Sequence, residues 1–258
     1  MKPCSFAIFT CQLKAKDSDI DTLCQGLLDQ GFSLDDDNPD LVVVIGGDGS
    51  LLKACHEYEF TGHFLLINSG HLGFFSDYSI EEIDAFLSDI LHNEPNYETL
   101  PLMEIDIDGQ DYYAINDLVI QSERTAEFNL AVNNQTLTSS RASGIVVGTP
   151  ISSTGYLSSL GAPIVVSDAS IYQYSFIAPV FNRLFPNTIS KGILSAENSL
   201  AIAVEGPSIY IIDGIPVSKD SEAQVNVTMS KDKEVSIMHL KEISNIRRIR
   251  KSVLESED

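Results

Sequence analysis

The sequence predicts two domains of different class: an N-terminal α/β domain with a parallel sheet, followed by a domain of mainly antiparallel β structure. Over residues 1–95, short apolar runs alternate with segments of helical periodicity. After residue 95, segments with a period of two residues dominate, and pairs such as Asp108-Gly109 between them favour tight turns. The chain has 258 residues, which is long enough for two such domains.

The predicted N-terminal domain, residues 1–95, repeats a strand–helix pattern. The run Leu41–Ile45 is apolar throughout and ends in glycines, which is typical of a strand covered on both faces. Earlier in the chain, apolar residues recur at helical spacing over Asp17–Gln30, and Gly31 ends this predicted helix. Repeated strand–helix units imply a parallel, Rossmann-like sheet wound in the right-handed sense. The predicted strands are Ser5–Thr10, Leu41–Ile45 and His63–Asn68, and the predicted helices are Asp17–Gln30, Leu51–Glu59 and Ile80–Leu91.

The predicted β domain covers residues 96–243, with one helical interruption around Ser153–Leu160. Asn133-Asn134 and Asp213-Gly214 supply further turns. Its strands are Met103–Ile107, Tyr112–Ile120, Leu130–Asn133, Gln135–Ser139, Ser199–Val204, Ser208–Ile212 and Ala223–Met229. Residues 244–258 are predicted to form a helical tail that packs back on the N-terminal domain. The basic residues of this tail suit the negative end of a helix dipole: Arg247, Arg248, Arg250 and Lys251.

The charge balance limits the partners of this protein. The chain has 37 acidic and 16 basic residues, a net charge of −21, so its surface repels nucleic acid and anionic lipid. No apolar run approaches the roughly 20 residues that a membrane span needs, so we expect no membrane partner. Four cysteines without CxxC spacing favour reduced thiols in a cytoplasmic protein, and five histidines without metal-ligand spacing predict no metal site.

The loop Gly46–Ser50 follows a strand and precedes a helix. This arrangement offers backbone N–H groups and a positive helix end to a phosphate. The loop is neither a Walker A motif nor a dinucleotide fingerprint, because it lacks the following lysine and has Leu52 at the third glycine position. Asp48, between glycines, would repel phosphate unless it bound a cation or hydroxyl groups. The alternative interpretation is a strand-ending turn with Asp48 as a helix cap.

Three further segments carry candidate polar groups. Asn68–Phe75 follows the next strand and would line the same crevice, or it is a turn followed by a buried aromatic pair. Asn116 and Asp117 interrupt an apolar segment, so either a bulge turns both toward a cleft or they lie at a strand end. In Thr149–Tyr156, the hydroxyl groups either cap a short helix or surround a ribose or amide.

In combination these segments resemble the NAD kinase family. Gly46–Ser50 is similar to the GGDG[TS] loop of the family and Asn68–Phe74 to its NxGxLGF segment. The pair Asn116-Asp117 and the stretch Thr149–Tyr156 are similar to its Asn-Asp/Glu pair and its TPxGSTAY segment, in the same order and at similar spacing. GGDG alone also occurs in diacylglycerol, sphingosine and phosphofructokinases, so the later two motifs make the resemblance specific.

The resemblance implies an enzyme that transfers the γ-phosphoryl group of ATP to the 2′-hydroxyl of the adenosine ribose of NAD. It makes Asp48 the candidate base, and it implies Mg²⁺ or another divalent cation with ATP and a homodimer or homotetramer. The implied phosphate and ATP contacts are Gly46, Gly47, Gly49, Ser50 and Asn68. The implied NAD contacts are Gly49, Phe74, Asn116, Asp117, Ser143, Thr154 and Tyr156, with Asp213 a weaker candidate whose Asp-Gly turn is the simpler role.

The sequence also departs from the family pattern. Ser143 stands where the family has an acidic residue, and Ser152 where it has a glycine. Gly155 replaces an alanine, Ala162 replaces a glycine, and Asp117 is one methylene shorter than the commoner glutamate. Two alternatives therefore stay open: a catalytically impaired NAD-binding regulatory protein, and a lipid or sphingoid kinase of the same superfamily. The polar stretch Thr149–Tyr156 argues against an apolar lipid cleft.

Overall fold

The computed structural model describes residues 3–11, 16–70, 73–166, 169–183 and 188–253. The chain divides into two compact units. The first consists of Met1–Leu100 together with Glu234–Asp258, and the second of Pro101–Lys233. Residues 234–243, which the sequence analysis placed in the β domain, thus group with the first unit, because Ser236 and Ile237 pair with a parallel strand of that unit.

The first unit has the parallel sheet that the sequence predicts. The strand order is β2-β1-β3-β4, every neighbouring pair is parallel, and β5 pairs with the end of β4. The elements in chain order are β1 (Ser5–Thr10), α1 (Asp17–Asp29), β2 (Ser33–Leu34), β3 (Leu41–Gly46), α2 (Asp48–Glu57), β4 (His63–Asn68), β5 (Tyr78–Ser79) and α3 (Ile83–His92), the last preceded by a 3₁₀ turn at Ile80–Glu82.

Burial explains why the unit folds this way. All six residues of β3 are buried, as expected for a central strand covered on both faces. One side of α1 buries Leu23 and Leu27, and α3 buries Phe86 and Ile90 in the same apolar cluster. Each such side chain contributes about 1.5–3 kcal/mol when fully buried. The core of this unit therefore lies between its sheet and these helices.

The second unit is mainly an antiparallel sheet, as predicted. Its strands follow the order β11-β10-β9-β8-β12-β13, with a β6–β7 hairpin whose first strand also pairs with β13. The remaining elements are β6 (Asn96–Ile107), β7 (Gln110–Ala114), β8 (Asp117–Val132), β9 (Gln135–Gly148), α4 (Tyr156–Ser159), β10 (Ile171–Ile177), β11 (Lys191–Ser195), β12 (Leu200–Ile212), β13 (Ile215–His239) and α5 (Asn245–Val253). The first part of β6, the end of β13, and α5 belong to the first unit.

Several predicted boundaries were wrong. The expected strand Tyr112–Ile120 is broken, since β7 ends at Ala114 and β8 begins at Asp117. The expected strands Ser199–Val204 and Ser208–Ile212 form a single strand, β12. Its pairing register shifts around Gly206, where φ is +133°. The expected helix Ser153–Leu160 is a 3₁₀ turn, Ile151–Thr154, followed by the short α4. The three predicted turns are confirmed, with positive φ at both residues of each.

Three further observations concern the cysteines, the lengths of the helices and the C-terminal tail. The four cysteines, all within the described residues, form no disulfide. Among the described residues, no helix combines the length and the apolar character that a membrane span requires. The predicted C-terminal helix is present as α5, while residues 254–258 of the predicted tail lie outside the described residues.

Candidate active site

Asp48 lies at the start of α2, where it meets the second glycine segment. Its Oδ1 and Oδ2 accept hydrogen bonds from the backbone N–H of Phe74, at 3.0 and 2.9 Å, and Oδ1 accepts another from Phe75 at 3.2 Å. The N-cap of α2 is Gly47, and no side chain caps this helix. The interpretation of Asp48 as a helix cap was therefore wrong, because its carboxylate joins two loops instead.

The glycines of the first loop differ in what surrounds them. A Cβ at Gly46 would overlap the side chain of Ser50, so this glycine accommodates Ser50. A Cβ at Gly47 or at Gly49 would meet nothing within 4 Å. These two glycines therefore leave space beside the first backbone N–H groups of α2, which the helix itself does not satisfy. A phosphate could approach this backbone closely.

The second loop is braced against the first. Asn68 is buried at the end of β4, and its Oδ1 accepts a hydrogen bond from Gly70 N–H at 2.9 Å. Ser69 N–H donates to Gly46 O at 3.2 Å. Residues 71 and 72 of the resembling segment lie outside the described residues. Phe74 is half-buried and packs edge-on against Phe75 with ring centroids 5.0 Å apart. The structure thus brings Gly46–Ser50, Asn68 and Phe74 together.

Asn116 and Asp117 lie at a strand end, which is one of the two arrangements the sequence allowed. The carboxylate of Asp213 holds this segment, accepting backbone hydrogen bonds from Ile115 (2.8 Å), Asn116 (2.7 Å) and Asp117 (3.2 Å). Asp213 is itself in the tight turn between β12 and β13, with φ +49°. Asp213 therefore acts here through the backbone of the pair, which the sequence did not reveal.

The side chains of the pair differ in their partners. Asn116 Oδ1 is buried without a hydrogen-bond partner in the described part of the chain. Asp117 Oδ2 accepts a hydrogen bond from Ser152 Oγ at 2.7 Å. Burial, with a smaller contribution from the nearby charge of Asp213, raises the pKa of Asp117 to about 6, although the Ser152 bond acts in the opposite direction. The pair thus presents an amide oxygen and a carboxyl group whose charge changes near pH 6.

The stretch Thr149–Tyr156 packs against this pair. Thr149 is buried, and it donates from Oγ1 to Ile115 O (2.7 Å) and from its N–H to Asn116 O (2.9 Å). Thr154 Oγ1 bonds to Ile151 O at 3.2 Å, and Tyr156 is exposed at the start of α4. The sequence left the hydroxyl groups of this stretch either capping a short helix or surrounding a ligand, whereas the hydroxyl of Thr149 bonds to the backbone before β8.

Ser143 is not beside these residues along the sheet. It lies on β9, five residues before Gly148, and Gly148 pairs with Asp117. At about 3.3 Å per residue, Ser143 is roughly 16 Å from that end of the strand. The pair Asn116-Asp117 and the stretch that contains Thr154 and Tyr156 thus meet at one end of the second unit, where Asp213 bonds to the backbone of the pair. Ser143 does not lie at this end.

Within the described residues, no three or more histidine, cysteine, aspartate or glutamate side chains lie close enough together to hold a metal ion.

Comparison with known proteins places these features in a family. The family model of the ATP-NAD kinase N-terminal domain matches residues 15–95, and that of the ATP-NAD kinase C-terminal domain matches residues 115–240. A curated NAD kinase from Picrophilus torridus is 34% identical over 220 residues, which cover 82% of this chain and 78% of that protein. The chain belongs to the NAD kinase family. A Finegoldia magna NAD kinase is 30% identical, with 76% of this chain and 77% of that protein covered.

Solved structures of NAD and NADH kinases share the fold. A crystal structure of yeast NADH kinase complexed with NADH superposes with a TM-score of 0.83 at 17% identity, covering 98% of this chain and 89% of that one. An NAD kinase from Archaeoglobus fulgidus in complex with ATP gives 0.76 at 20% identity, with 96% and 99% covered. The resemblance seen in the sequence and the predicted fold class are thus confirmed. As an NAD kinase family member, the chain is a phosphotransferase with an alcohol group as acceptor.

Proposed function

We propose that this protein transfers the γ-phosphoryl group of ATP to the 2′-hydroxyl of the adenosine ribose of NAD, giving NADP and ADP. The observation that carries this proposal is the position of the Asp48 carboxylate at the start of α2. The backbone N–H groups of Phe74 and Phe75 hold it there, and the space beside Gly47 and Gly49 is open. A protein that only bound NAD would have no need of a carboxylate held beside a phosphate-binding backbone.

Asp48 acts as the general base. As the bond between the ribose oxygen and the γ-phosphorus forms, the bond from that phosphorus to the β,γ-bridging oxygen breaks and ADP leaves. The hydroxyl proton passes to the carboxylate of Asp48. Its hydrogen bonds from the backbone of Phe74 and Phe75 hold the carboxylate in one orientation. General-base catalysis of this kind contributes typically about 10²–10⁴-fold.

The donor is ATP bound as its magnesium complex. Phosphoryl transfer depends on positioning and on neutralising phosphate charge. The chain carries a net charge of −21, and no cluster of metal ligands exists among its described residues. We therefore assign the divalent cation to the phosphates of the substrate rather than to a resident protein site. The backbone at Gly46, Gly47, Gly49 and Ser50 approaches the phosphates, and Asn68 holds the neighbouring loop in place.

Asn116 and Asp117 bind the adenosine part of NAD. The unpartnered Oδ1 of Asn116 suits a donor such as the adenine amino group, because a buried acceptor without a donor costs about 1–3 kcal/mol. The carboxylate of Asp117 accepts ribose hydroxyl groups. In the second unit, Thr154 and Tyr156 are further NAD contacts, Ser143 lies farther along β9, and Asp213 supports Asn116 and Asp117 by accepting hydrogen bonds from their backbone. In the first unit, Phe74 is a further NAD contact.

Two broader features belong to the same proposal. The enzyme is cytoplasmic, since its four cysteines form no disulfide. It works as a homodimer or homotetramer, as the family resemblance implies.

Product analysis tests the proposal. The purified protein is incubated with NAD, ATP and Mg²⁺, and the product is identified by phosphorus NMR and by reduction with an NADP-specific dehydrogenase. We expect NADP with the new phosphate on the 2′-oxygen. Binding of NAD without any product would identify the chain as a catalytically impaired NAD-binding protein, and phosphorylation of a sphingoid base or a diacylglycerol instead would identify a lipid kinase.

A further inference from the structure

The first unit contains a cluster of four charged or titratable side chains that the mechanism above does not use. His239 is fully buried, with Nδ1 3.0 Å from Asp77 Oδ1 and Nε2 3.2 Å from Glu98 Oε2. Arg248, from α5, bonds to Glu98 Oε2 at 2.8 Å and lies 2.9 Å from His239 Nε2. We call these four residues, Asp77, Glu98, His239 and Arg248, the Arg248 cluster.

The Arg248 cluster holds four chain segments together. Asp77 Oδ2 accepts backbone hydrogen bonds from Leu240 (2.9 Å) and Lys241 (3.3 Å), just after β13. Lys241 Nζ in turn donates to Asp77 O at 2.7 Å. Glu98 belongs to β6 and Arg248 to α5. Burying such charges costs free energy that well-packed apolar residues would not cost, so their presence here calls for a role other than stability alone.

The guanidinium of Arg248 has a second set of contacts. It lies 5.6 Å from the ring centroid of Phe74 and 5.7 Å from that of Phe75, within the range of a cation–π interaction. These are the two residues whose backbone N–H groups donate to the carboxylate of Asp48. Fixing both rings restricts the backbone that carries those N–H groups. A continuous path of contacts thus runs from α5 to Asp48.

We infer that Arg248 is a positioning residue for Asp48: Glu98 fixes its guanidinium, the guanidinium fixes Phe74 and Phe75, and their N–H groups orient the carboxylate. The inference rests on the proposed function, which makes Asp48 the base. In this role Arg248 acts through Phe74 and Phe75 rather than on the substrate. Every contact in this path lies within the first unit. A misplacement of about 1 Å in a reacting group can lower a rate about 100-fold.

The test compares R248Q with R250Q. Arg250 lies on the same helix and is exposed, so R250Q makes the same change in charge away from the cluster. For R248Q we expect kcat to fall about 10- to 100-fold, with KM values for NAD and ATP changed less than about threefold. Amide hydrogen exchange of Phe74 and Phe75 should be faster in R248Q and unchanged in R250Q. R248K, which keeps the charge without the planar fork, should recover part of kcat.

A double substitution separates positioning from a general structural effect. If Arg248 acts through Asp48, then R248Q should lower the residual turnover of D48N no more than R250Q does. An R248Q enzyme with the kcat or the Phe74 and Phe75 exchange rates of R250Q would overturn the inference. If R248Q does not fold, E98Q carries the same test, because it keeps the shape of Glu98 and weakens its hold on Arg248. Normal turnover of D48N would instead overturn the proposed base, and the exchange rates would still report on Arg248.

Discussion

Ser152 Oγ donates a hydrogen bond to Asp117 Oδ2 at 2.7 Å, and it joins two positions at which the sequence departs from the pattern of the NAD kinase family. Ser152 stands where the family has glycine, and Asp117 where glutamate is commoner. A Cβ at Gly148 would lie 2.7 Å from Ser152 Cβ, so that glycine makes room for the serine. The two departures thus belong to one arrangement, in which the added hydroxyl partners the shorter carboxylate.

We expect NAD binding to weaken in acid because of Asp117. Burial raises the pKa of this carboxyl group to about 6. If the charged form accepts ribose hydroxyl groups, the KM for NAD should rise as the pH falls below about 6, whereas the KM for ATP should not. Steady-state kinetics from pH 5 to 8 measure this, with D117N as the control whose KM for NAD should be higher throughout and independent of pH. A wild-type KM for NAD that stays flat over this range would remove Asp117 from the binding contacts.

The Ser152 hydroxyl should influence the pH at which the KM for NAD begins to rise. Its hydrogen bond favours the charged form of Asp117 and lowers the pKa of that group. In S152A the rise in KM for NAD should therefore begin at a higher pH than in the wild type. S158A provides a matched loss of a hydroxyl group on α4, where Ser158 Oγ bonds to the nearby backbone carbonyls of Thr154 and Gly155, and it should leave the profile unchanged. Identical profiles for S152A and the wild type would contradict this account of the pair.

Replacement of Gly49 by alanine should separate stability from activity. Its added Cβ meets nothing within 4 Å, and alanine is the better helix former by about 0.8–1.0 kcal/mol. G49A should therefore unfold at the same or a higher temperature, yet lose most activity, because the methyl group stands where a phosphate approaches the backbone. G46A is the contrasting variant and should be less stable, since its Cβ overlaps Ser50. A fully active G49A would show that no ligand group approaches there.

His239 should make stability depend on pH. Burial acts to lower its pKa, but hydrogen bonds to Asp77 and Glu98 and the charge of Asp77 outweigh burial and the charge of Arg248, so the pKa is raised. The added stability is complete below the unfolded value of about 6.5 and is lost as the pH rises through the native pKa. The difference in free energy of unfolding between the wild type and H239Q should therefore shrink from pH 6 to pH 8.

Denaturant titrations at these two pH values measure that difference. H92Q removes an exposed histidine on α3 and serves as the control. A difference between the wild type and H239Q that stays constant, or grows toward pH 8, would show that His239 is not held in its charged form by its neighbours.

The sequence predicted those features that depend on local pattern. Apolar runs identified β3 and β4, and glycine and asparagine pairs identified the turns, because backbone preference and burial act within a few residues. The order of the motifs also predicts roles for Asp48 and for the Asn116-Asp117 pair, and these roles stay predictions.

Contacts between distant parts of the chain could not be predicted. The break between β7 and β8 depends on the carboxylate of Asp213, which is 98 residues from Ile115. The Arg248 cluster joins residues 150 positions apart, Glu98 and Arg248, and the basic tail gave no sign of it. The helix dipole explains why basic residues suit the tail, but it predicts no specific partner for them. In the structure, Arg248 lies beside Glu98, His239, Phe74 and Phe75.

Turnover of D48N tests the central claim most directly. The isosteric amide keeps the shape of the side chain and removes the group that accepts the ribose proton. We expect D48N to fold, to bind NAD and ATP, and to form NADP at least about 100-fold more slowly than the wild type, while D36N, a substitution in the acidic loop before β3, forms it at the normal rate. NADP formation by D48N at a rate near that of D36N would contradict the assignment of Asp48 as the base.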